Sequence, residues 1–541
     1  MYNPLPLKFV FGIVLLHLFC ENASSQGIPS YPSGLIKENL ISAELRFLSS
    51  AWFEGRKTGE RGNEMAADYL ELYFHEIGLE PVRWKMPSKF DPRYDNSENT
   101  SFYQEVPLFR FTVPKEEPLI VVTRTPTDEK RTEFSSGNDF GRYYAYTSRN
   151  VSIHAPVVFA GYGISMPDKG YDDFAGIDVD GKVALVSMGY PGYRDTTSMA
   201  YRKMQENKID DYSRWDKFEA AKKKGAAAVL FLYTTEEWAN PTGGDYHNYT
   251  YGEKKTETQE PYFELATDSL ARETPILTIS QRIGHELLQG TGVDLVKFDN
   301  KTASDCKPSS RMLKDKSVDL QITKKSELIK SSNIIGCIPG EIPNEFVVVG
   351  AHYDHIGKTG DDIYFGCDDN ASGAVAVMAI ARACKEMKIK PKRTIIFALW
   401  TGEEEGLFGS TYFVDKWNNG KIDFCFNFDM ISRYNSRDSL HFLSVSMPKG
   451  FNGMQQPIAQ ANTADSLNLK ILFKVKKVSD YGGSDYTPFA EKGIPFCCFF
   501  TGFHPDYHEK TDIYRKANME AMTRIVNLGF KAVWQRANRG A

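Results

Sequence analysis

The apolar positions near the start of the chain predict one long amphipathic helix. Apolar residues recur with a helical period between Ala66 and Ile77, and this spacing places them on one face of a helix. Gly78 follows directly and is a natural stop signal. The segments 54–56 and 58–62, which precede the helix, are rich in glycine and charge and predict a loop.

From about Glu345 onward, the pattern alternates between strands and helices. Near-continuous apolar runs predict strands that are buried on both faces, at Val347–Gly350, Thr394–Leu399, Phe424–Phe428 and Ile494–Phe500. Helices are predicted from about Ala371 to Lys385 and from Leu407 to Trp417. This alternation indicates an α/β domain with a largely parallel sheet.

The segment from about Asn150 to Ser280 has a different pattern of apolar and polar residues. Short apolar runs are separated by Gly, Asp and Pro, at Val157–Phe159, Lys182–Val186 and Ala226–Leu232. A helix rich in Ala and Lys is predicted over Phe218–Lys224. We therefore predict a compact α+β unit with its own core. The charged segment Asp305–Lys325, which follows, is interpreted as a connector.

The composition excludes several classes of protein. A chain of 541 residues predicts about two to four domains. Its hydrophobic share of 41% and charged share of 25% are typical of a globular protein, which excludes a disordered, collagen-like or polytopic membrane protein. The formal net charge of −5 argues against nucleic acid as a partner, because general nucleic-acid binders are far more basic.

The first residues predict a secretory signal peptide over residues 1–25. The largely apolar run Phe9–Phe19 follows Lys8 and is shorter than the roughly 20 residues that a spanning helix needs. Small residues at 23–25 complete the pattern of a signal. We expect a secreted or periplasmic protein with no transmembrane segment. A lipid anchor at Cys20 ranks lower, because bulky residues precede it.

Acidic and histidine residues collect where the C-terminal strands end. They are His352, Asp354, Asp368, Asp369, Glu403, Glu404, Asp429, His504 and His508. Ligands of open α/β sheets bind outside the carboxyl ends of the strands, so we expect these side chains to share one edge. A helix cap or a solvated helix face would explain a single pair. A carboxylate in a buried strand, as at Asp429, is costly unless it is paired.

Together these residues predict a metal centre. Clustered carboxylates repel one another unless a cation holds them, and carboxylates combined with imidazoles suit zinc. The candidate ligands are His352, Asp369, Glu404, Asp429 and His508. One catalytic zinc ion uses about three protein ligands, so this set predicts two ions that share a carboxylate. Glu403 is then free to act as a general base.

Six motifs in this order resemble peptidase family M28, the co-catalytic zinc aminopeptidases and their relatives. They are Gly350-Ala-His-Tyr-Asp, Asp368-Asp-Asn-Ala-Ser-Gly, Gly402-Glu-Glu-Glu-Gly-Leu-Phe-Gly-Ser, Phe428-Asp-Met, Ser484-Asp-Tyr-Thr-Pro-Phe and Tyr507-His-Glu-Lys-Thr-Asp. Upstream, Glu54-Gly-Arg and the first helix are similar to secreted members. Between this helix and the six motifs, sequences such as Tyr171-Asp-Asp-Phe and Asp178-Val-Asp-Gly-Lys-Val resemble a protease-associated (PA) domain.

The resemblance implies a zinc-exopeptidase fold. This is an α/β fold with a mostly parallel or mixed sheet that is flanked by helices and carries an inserted α+β PA domain. The catalytic domain would then comprise residues 26–145 and 291–541, with the metal site in the second part. The PA insert would occupy residues 146–290.

The resemblance also implies which ligand holds which ion. His352 and Asp429 would hold one zinc ion, and Glu404 and His508 would hold the other. Asp369 would bridge the two ions. The peptide bond after this bridging residue is often cis in the family.

Three further residues receive implied roles. Glu403 would be the general base, Asp354 would orient the ring of His352, and Tyr507 would hydrogen-bond the developing oxyanion. Two other assignments remain open from the residues alone. The roles of the glutamates could shift by one residue, with Glu404 as base and Glu405 as ligand, and His504 could replace His508 as a ligand. The surrounding motifs favour Glu403 as base and Glu404 and His508 as ligands. His355 is interpreted as a bystander that points away, and Cys367 as a small buried side chain.

The function that the resemblance implies is that of a secreted two-zinc metallopeptidase. Most simply, it is an aminopeptidase that releases N-terminal residues from peptides with a metal-bound water activated by Glu403. A carboxypeptidase or dipeptidase of the same fold is the alternative. A glutaminyl cyclase ranks lower because such relatives generally use one zinc ion and lack a PA insert. A metal-free receptor-like protein ranks lower because every ligand is present.

Overall fold

The computed structural model divides the chain into two compact units. It describes residues 32, 34–82, 101–112, 117–136, 139–142, 150–209, 212–232, 262–266, 274–434, 441–451, 453–477 and 482–539. The first unit combines Met1–Val106 with Ser331–Ala541, and the second unit is Pro107–Lys330. The predicted signal peptide and Cys20 lie outside the described residues.

The first unit is built on a mixed sheet. In spatial order, its strands are Tyr103–Thr112, Lys325–Ile338, Arg393–Trp400, Ile342–His352, Lys421–Phe428, Phe496–Phe500, Phe442–Pro448 and Lys470–Lys476. The central strand Ile342–His352 is parallel to both of its neighbours. Phe496–Phe500 continues the parallel set on one side, and Phe442–Pro448 is antiparallel to it. The predicted α/β fold with a mostly parallel or mixed sheet is confirmed.

Helices cover both faces of this sheet. On one face lie Glu38–Leu48, Arg61–Glu76, Gly373–Glu386, Gln455–Ala464 and Met519–Asn538. On the other face lie Phe408–Lys416 and Tyr486–Glu491. Alternate residues of the central strand point to opposite faces, so Val347 and Val349 join one core and Val348 joins the other. Burial on both faces explains why these strands read as continuous apolar runs.

The predicted helices of this unit are confirmed with small shifts in their ends. The first runs over Arg61–Glu76, and Gly78 beyond its end has a φ of 74°. The helix predicted from Ala371 begins at Gly373 instead. A Cβ atom at Gly373 would lie 2.2 Å from the carbonyl oxygen of Phe428, so only glycine allows this close approach of helix and strand. The approach brings the helix start beside the end of the strand.

The second unit has a sheet of its own. In spatial order, its strands are Glu129–Phe134, Leu119–Arg124, Arg311–Ile322, Val151–Phe159, Val183–Ser187, Ala228–Leu232, Ile276–Ile279 and Phe140–Arg142. The strand Tyr262–Leu265 pairs with the part of Tyr103–Thr112 that lies beyond the boundary. The α-helices among the described residues of this unit are Met199–Glu206, Arg214–Lys223, Gln281–Leu288 and Leu295–Asp305. Separate apolar cores lie within this unit.

The boundaries of the second unit are wider than the 146–290 expected for the insert. The outer strands Leu119–Arg124 and Glu129–Phe134 precede that range, and Arg311–Ile322 follows it. All of them belong to the sheet of this unit. The assignment of the unit as a PA domain stays a prediction.

The interpretation of Asp305–Lys325 as a connector is wrong. Arg311–Ile322 is a strand in the interior of the second sheet and pairs on both sides. Val318, Leu320 and Ile322 are buried and recur at every second position, as one face of a strand requires. The charged residues in the first half of the strand, at 311 and 314–316, obscured this short period.

Two further features of the described residues concern membrane-spanning helices and cysteines. Among them, no helix is both long and apolar enough to cross a membrane. The cysteines in the described part of the chain are free and buried. Burial raises the pKa of the Cys367 thiol, which keeps it protonated. This agrees with the interpretation of Cys367 as a small buried side chain.

Candidate active site

The candidate ligands lie at the carboxyl edge of the first sheet, in the positions that the strand ends predict. His352 is the last residue of its strand, and Asp429 directly follows Lys421–Phe428. Asp369 lies in a tight turn over 367–372, just ahead of a helix. The other candidates come from the turn after Arg393–Trp400 and from the loop after Phe496–Phe500, and they are Glu403, Glu404 and His508. Five separate segments of the fold therefore supply these six side chains, and one of the segments carries both glutamates.

Asp369 lies between two groups of possible ligands. Its Oδ1 atom is 3.6 Å from Nε2 of His352, and its Oδ2 atom is 3.1 Å from Nε2 of His508. The ring of His352 is also 3.6 Å from Oδ1 of Asp429. The ring of His508 is also 3.1 Å from Oε2 of Glu404. The carboxylate of Asp369 thus offers one oxygen to each group.

These separations fit two metal ions. Zinc binds nitrogen and oxygen at about 2.0–2.2 Å, so neighbouring donors of a tetrahedral site lie roughly 3.3–3.6 Å apart. The donor atoms of His355, Asp369, Glu404 and His508 lie within 4.8 Å of one another, and so do those of His352, Glu403 and Asp429. Carboxylates and imidazoles are also the donor types that zinc prefers. The residues present therefore fit the predicted pair of ions.

The turn that carries Asp369 is fixed by hydrogen bonds to its neighbours. The backbone amides of Asp368 and Asp369 donate to Oδ2 of Asp512, at 2.9 and 3.1 Å. The side chain of Asn370 donates to the carbonyl of Phe428 and accepts from the amide of Met430. The peptide bond between Asp369 and Asn370 is cis, which confirms the expectation from the resemblance. These bonds tie the turn to the segment that carries Asp429.

Asp429 has one oxygen in each of two environments. Its Oδ2 atom accepts a hydrogen bond of 2.6 Å from Oγ of Ser484, while its Oδ1 atom faces His352. Ser484 in turn accepts a hydrogen bond of 2.7 Å from Asn427. The sequence assigned no role to Ser484, although it belongs to one of the six motifs. The structure shows that Ser484 fixes the orientation of the Asp429 carboxylate.

Asp354 is fully buried beside the site. Nδ1 of His352 lies 3.2 Å from the backbone oxygen of Asp354 and 3.8 Å from its Oδ1 atom. The carboxylate accepts from the backbone amides of Glu403 and Glu404, at 3.2 and 3.3 Å, and from the hydroxyl of Thr58. Asp354 thus contacts the ring of His352 mainly through its backbone. Its carboxylate holds the turn that carries the two glutamates.

His508, and not His504, lies with the candidate ligands. Nε2 of His504 is 3.1 Å from Oδ2 of Asp368, and its Nδ1 atom accepts from the amide of Asp506. This fixes His504 as a buried donor to Asp368. Asp368 also accepts from the amide and hydroxyl of Ser432. The alternative in which His504 replaces His508 is not favoured by this arrangement.

The interpretation of His355 as a bystander that points away is wrong. The strand ends at His352, and the backbone amide of His355 donates to the carbonyl of Arg56. Its side chain is fully buried and its Nδ1 atom is 2.7 Å from Oε1 of Glu404. No periodic signal predicts this position, because the segment after the strand is irregular.

Arg56 is a second buried residue to which the sequence assigned no role. Its guanidinium donates to the backbone carbonyls of Leu48, Tyr353, Phe365 and Gly366 at 2.7–2.9 Å. Tyr353 follows His352 directly, and Gly366 lies three residues before Asp369. Arg56 therefore ties the loop before the helix Arg61–Glu76 to two segments that carry candidate ligands.

Tyr507 lies against the ring of His508. The two rings stack with centroids 3.8 Å apart, and Phe503 contacts Tyr507 edge-on at 4.8 Å. Burial raises the pKa of Tyr507, and the charges of Asp369 and Glu404 raise it further. The phenol therefore stays protonated and able to donate a hydrogen bond beside the site.

The two adjacent glutamates have opposite pKa shifts. Burial raises the pKa of Glu403 well above its ordinary value, and the nearby carboxylates of Asp485 and Glu404 add to this shift. Burial alone would raise the pKa of Glu404 as well. Hydrogen bonds from His355 and His508 outweigh burial and hold it well below its ordinary value. The pair therefore divides into a group that holds a proton readily and a group that stays ionised.

The histidines of the two groups respond to these carboxylates. Burial alone would lower the pKa of His352, but the charges of Glu403, Asp429 and Asp369 raise it well above its ordinary value. The carboxylates around His508 likewise outweigh burial and raise its pKa to about 10. Both rings thus lie in a field that attracts cations, as a metal centre requires.

Comparison with known proteins identifies this part of the chain. Residues 333–533 match the model of Peptidase family M28, and they include every residue of the two ligand groups. This segment is therefore similar to peptidase family M28. The match confirms the resemblance that the six motifs indicated.

Curated relatives of this chain carry two kinds of name. "Leucine aminopeptidase 2" of Trichophyton equinum is 29% identical over 182 residues, which are 31% of this chain and 33% of that protein. "Probable leucine aminopeptidase 2" of Aspergillus oryzae is 31% identical over 203 residues, 34% and 36% of the two chains. "Glutamate carboxypeptidase 2 homolog" of Caenorhabditis elegans is 24% identical over 448 residues, 74% of this chain and 52% of that protein. The chain thus spans about a third to a half of the length of these relatives.

A solved structure supports the fold over a longer range. The structure described as "Aminopeptidase from Aneurinibacillus sp. strain AM-1" covers 93% of this chain and 95% of its own, with a TM-score of 0.54. The sequence identity is 19%, so the similarity supports the fold alone. The M28 segment therefore lies in a chain with the fold of that protein.

Proposed function

We propose that this chain is a two-zinc metallopeptidase, and most simply an aminopeptidase that releases N-terminal residues from peptides. The observation that carries the proposal is the position of Asp369 between two donor groups. The side chain of Glu403 lies beside one of them, with Oε2 3.8 Å from Nε2 of His352. This is the arrangement that a two-metal hydrolase with a separate general base requires.

We assign the ligands as the resemblance implies. His352 and Asp429 would hold one ion, Glu404 and His508 the other, and Asp369 both. When bound, the two ions would polarise the scissile carbonyl and make a water molecule more acidic.

Glu403 would accept the proton of the attacking water and pass it to the leaving amine. Its raised pKa suits such a transfer, because a general base is most effective when its pKa lies near the working pH. Tyr507 would donate a hydrogen bond to the oxygen on which negative charge develops. Asp354 would keep Glu403 in place, because its carboxylate accepts a hydrogen bond from the backbone amide of Glu403.

The charge of the site favours a substrate with a free amino group. The site holds the carboxyl groups of Asp354, Asp368, Asp369, Glu403, Glu404 and Asp429. When all six are ionised, they would carry more negative charge than two divalent ions neutralise. Excess negative charge in a cleft attracts cations and repels anions. The positive N terminus of a peptide is therefore favoured over its negative C terminus. A carboxypeptidase is the second candidate, because the longest of the three alignments is with a glutamate carboxypeptidase homologue.

A library of peptides would separate the two candidates. We expect peptides with a free N terminus to be cleaved, while the same peptides with an acetylated N terminus are cleaved at least about tenfold more slowly, a loss of about 1.4 kcal/mol of transition-state binding. Amidation of the C terminus should have little effect. The measurement is kcat/KM for the matched set. Equal rates on free and acetylated peptides would contradict the aminopeptidase proposal, and a loss on amidation would support the carboxypeptidase.

Removal of metal should abolish the activity. We expect dialysis against a chelator to remove both ions and all measurable hydrolysis, because Glu403 alone cannot activate water sufficiently. Zinc or cobalt should restore activity as the stoichiometry approaches two ions per chain. Elemental analysis and kinetics on the same samples would test this. Full activity with a single bound ion would contradict the assignment of two sites.

We further propose that the protein is secreted and that its second unit is a PA domain. The signal-like start of the chain supports export, and motifs such as Tyr171-Asp-Asp-Phe support the PA domain. The N-terminal sequence of the mature protein would test the first point. A mature protein that begins at Met1 would contradict cleavage near residue 25.

A further inference from the structure

His355 occupies a position next to the candidate ligands that neither the motifs nor the family comparison assigns. Its side chain is fully buried, and its Nδ1 atom is 2.7 Å from Oε1 of Glu404. The same Nδ1 atom is 3.8 Å from Oδ2 of Asp369. The closest of these separations is a hydrogen-bond distance for an N–H donor and a carboxylate.

The ring of His355 is held in place from two sides. Its backbone amide donates to the carbonyl of Arg56 at 3.3 Å. The ring packs directly on Gly366, where a Cβ atom would lie 2.5 Å from Cγ and Cδ2 of the imidazole. Gly366 has a φ of 54°, and its own carbonyl accepts from the guanidinium of Arg56. The ring therefore has little freedom to turn away from Glu404.

The environment of the second ring nitrogen indicates where the proton lies. Nε2 of His355 is buried and has no hydrogen-bond partner among the described residues. A buried N–H group without a partner costs about 1–3 kcal/mol. The neutral ring avoids this cost when the proton is on Nδ1, where Oε1 of Glu404 accepts it. The ring nitrogen that faces the site is then a donor and not a metal ligand.

We propose that His355 is a positioning residue that fixes the metal-binding orientation of Glu404. The bond from Nδ1 occupies Oε1 of Glu404 and leaves Oε2 facing His508, which is 3.1 Å away. Ser484 does the same for Asp429, because it occupies Oδ2 and leaves Oδ1 facing His352. Each of the two non-bridging carboxylates thus has one oxygen held by a protein donor. The inference rests on the proposed two-metal site.

Two substitutions separate a donor from a ligand. His355→Asn can place an amide N–H close to the position of Nδ1, whereas His355→Leu fills similar space without a donor. We expect His355→Leu to weaken binding of one of the two zinc ions by about 10–100-fold, the usual effect of losing a group that orients a ligand. His355→Asn should stay within a few-fold of the wild type. Chelator competition would measure both affinities.

The visible spectrum of the cobalt-loaded protein adds a readout that does not depend on activity. If His355 acts only through Glu404, the His355→Asn protein with two cobalt ions should keep the wild-type spectrum. His75→Leu is the matched control, because it removes an exposed imidazole from the same unit, and it should change neither affinity nor spectrum. Thermal unfolding of each apoprotein shows whether a variant is folded.

The outcomes distinguish the inference from the proposed function. Wild-type binding of two ions with unchanged affinity in His355→Leu would overturn the role of His355 alone. A changed cobalt spectrum in His355→Asn would show that the ring is a ligand, which also overturns it. Equal losses in both variants would reduce the ring to a packing role. A wild-type protein that binds no zinc would instead refute the metal site itself. If His355→Leu does not fold, His355→Ala, which also lacks a donor, takes its place in the comparison with His355→Asn.

Discussion

Replacing Glu403 with glutamine is expected to lower kcat by about 10²–10⁴-fold, the usual contribution of a general base. Glutamine has almost the size of glutamate but cannot accept a proton at neutral pH. Glu403 is not among the proposed metal ligands, so the variant should keep both ions and bind substrate nearly as well as the wild type. Metal analysis and steady-state kinetics on the same preparation would measure both effects.

The matched variant is Glu404→Gln, which changes the neighbouring residue in the same way. We expect it to lose metal affinity, because it replaces a charged ligand whose Oε2 atom faces His508. Excess zinc should restore part of its activity. Added zinc cannot restore Glu403→Gln, because the group that it lacks is a base. If Glu403→Gln lost metal while Glu404→Gln kept both ions, the two roles would be exchanged.

The surroundings of the two glutamates support this order of roles. Glu404 contacts His355 and His508, and both contacts favour its ionised form, as a metal ligand requires. Glu403 contacts only His352 among the histidines of the two groups, at 3.8 Å. Its raised pKa reflects burial among other carboxylates. The one-residue shift, with Glu405 as the ligand, is not supported by these contacts, because Glu405 belongs to neither group.

The site could be anticipated from the sequence because its residues follow buried strands. Runs such as Phe424–Phe428 are apolar on both faces, so the sequence indicates where each strand ends. Parallel strands bring their carboxyl ends to one edge. His352 and Asp429 therefore had to lie close together, as they do. Strand ends alone did not say which ring nitrogen or carboxylate oxygen faces which ion.

The residues that the sequence did not predict lie where no period applies. His355 follows a strand end, in a segment whose direction is set by a bond to the carbonyl of Arg56. Arg56 itself lies in a glycine-rich loop, and its partners are backbone carbonyls whose positions depend on the tertiary fold. The strand Arg311–Ile322 was missed because its charged face hides a short alternation of apolar residues.

Replacing Arg56 with methionine is expected to destabilise the first unit by about 4 kcal/mol or more. Methionine keeps the apolar stem but removes every donor, which leaves buried backbone carbonyls without partners, at about 1–3 kcal/mol each. These carbonyls are those of Leu48, Tyr353, Phe365 and Gly366. The midpoint of thermal unfolding should fall by about 5–10 °C. Calorimetry of the apoprotein would measure this effect apart from metal binding.

Two further variants serve as controls for Arg56→Met. Arg61→Met removes an exposed arginine from the same segment and should change stability by no more than about 0.5 kcal/mol. Arg56→Lys keeps the charge, but its single ammonium cannot reach carbonyls on both sides of a planar guanidinium, so an intermediate loss is expected. If Arg56→Met were as stable as the wild type, the carbonyls would have found other donors. Arg56 would then not be what holds the segment after His352 to the turn that leads to Asp369.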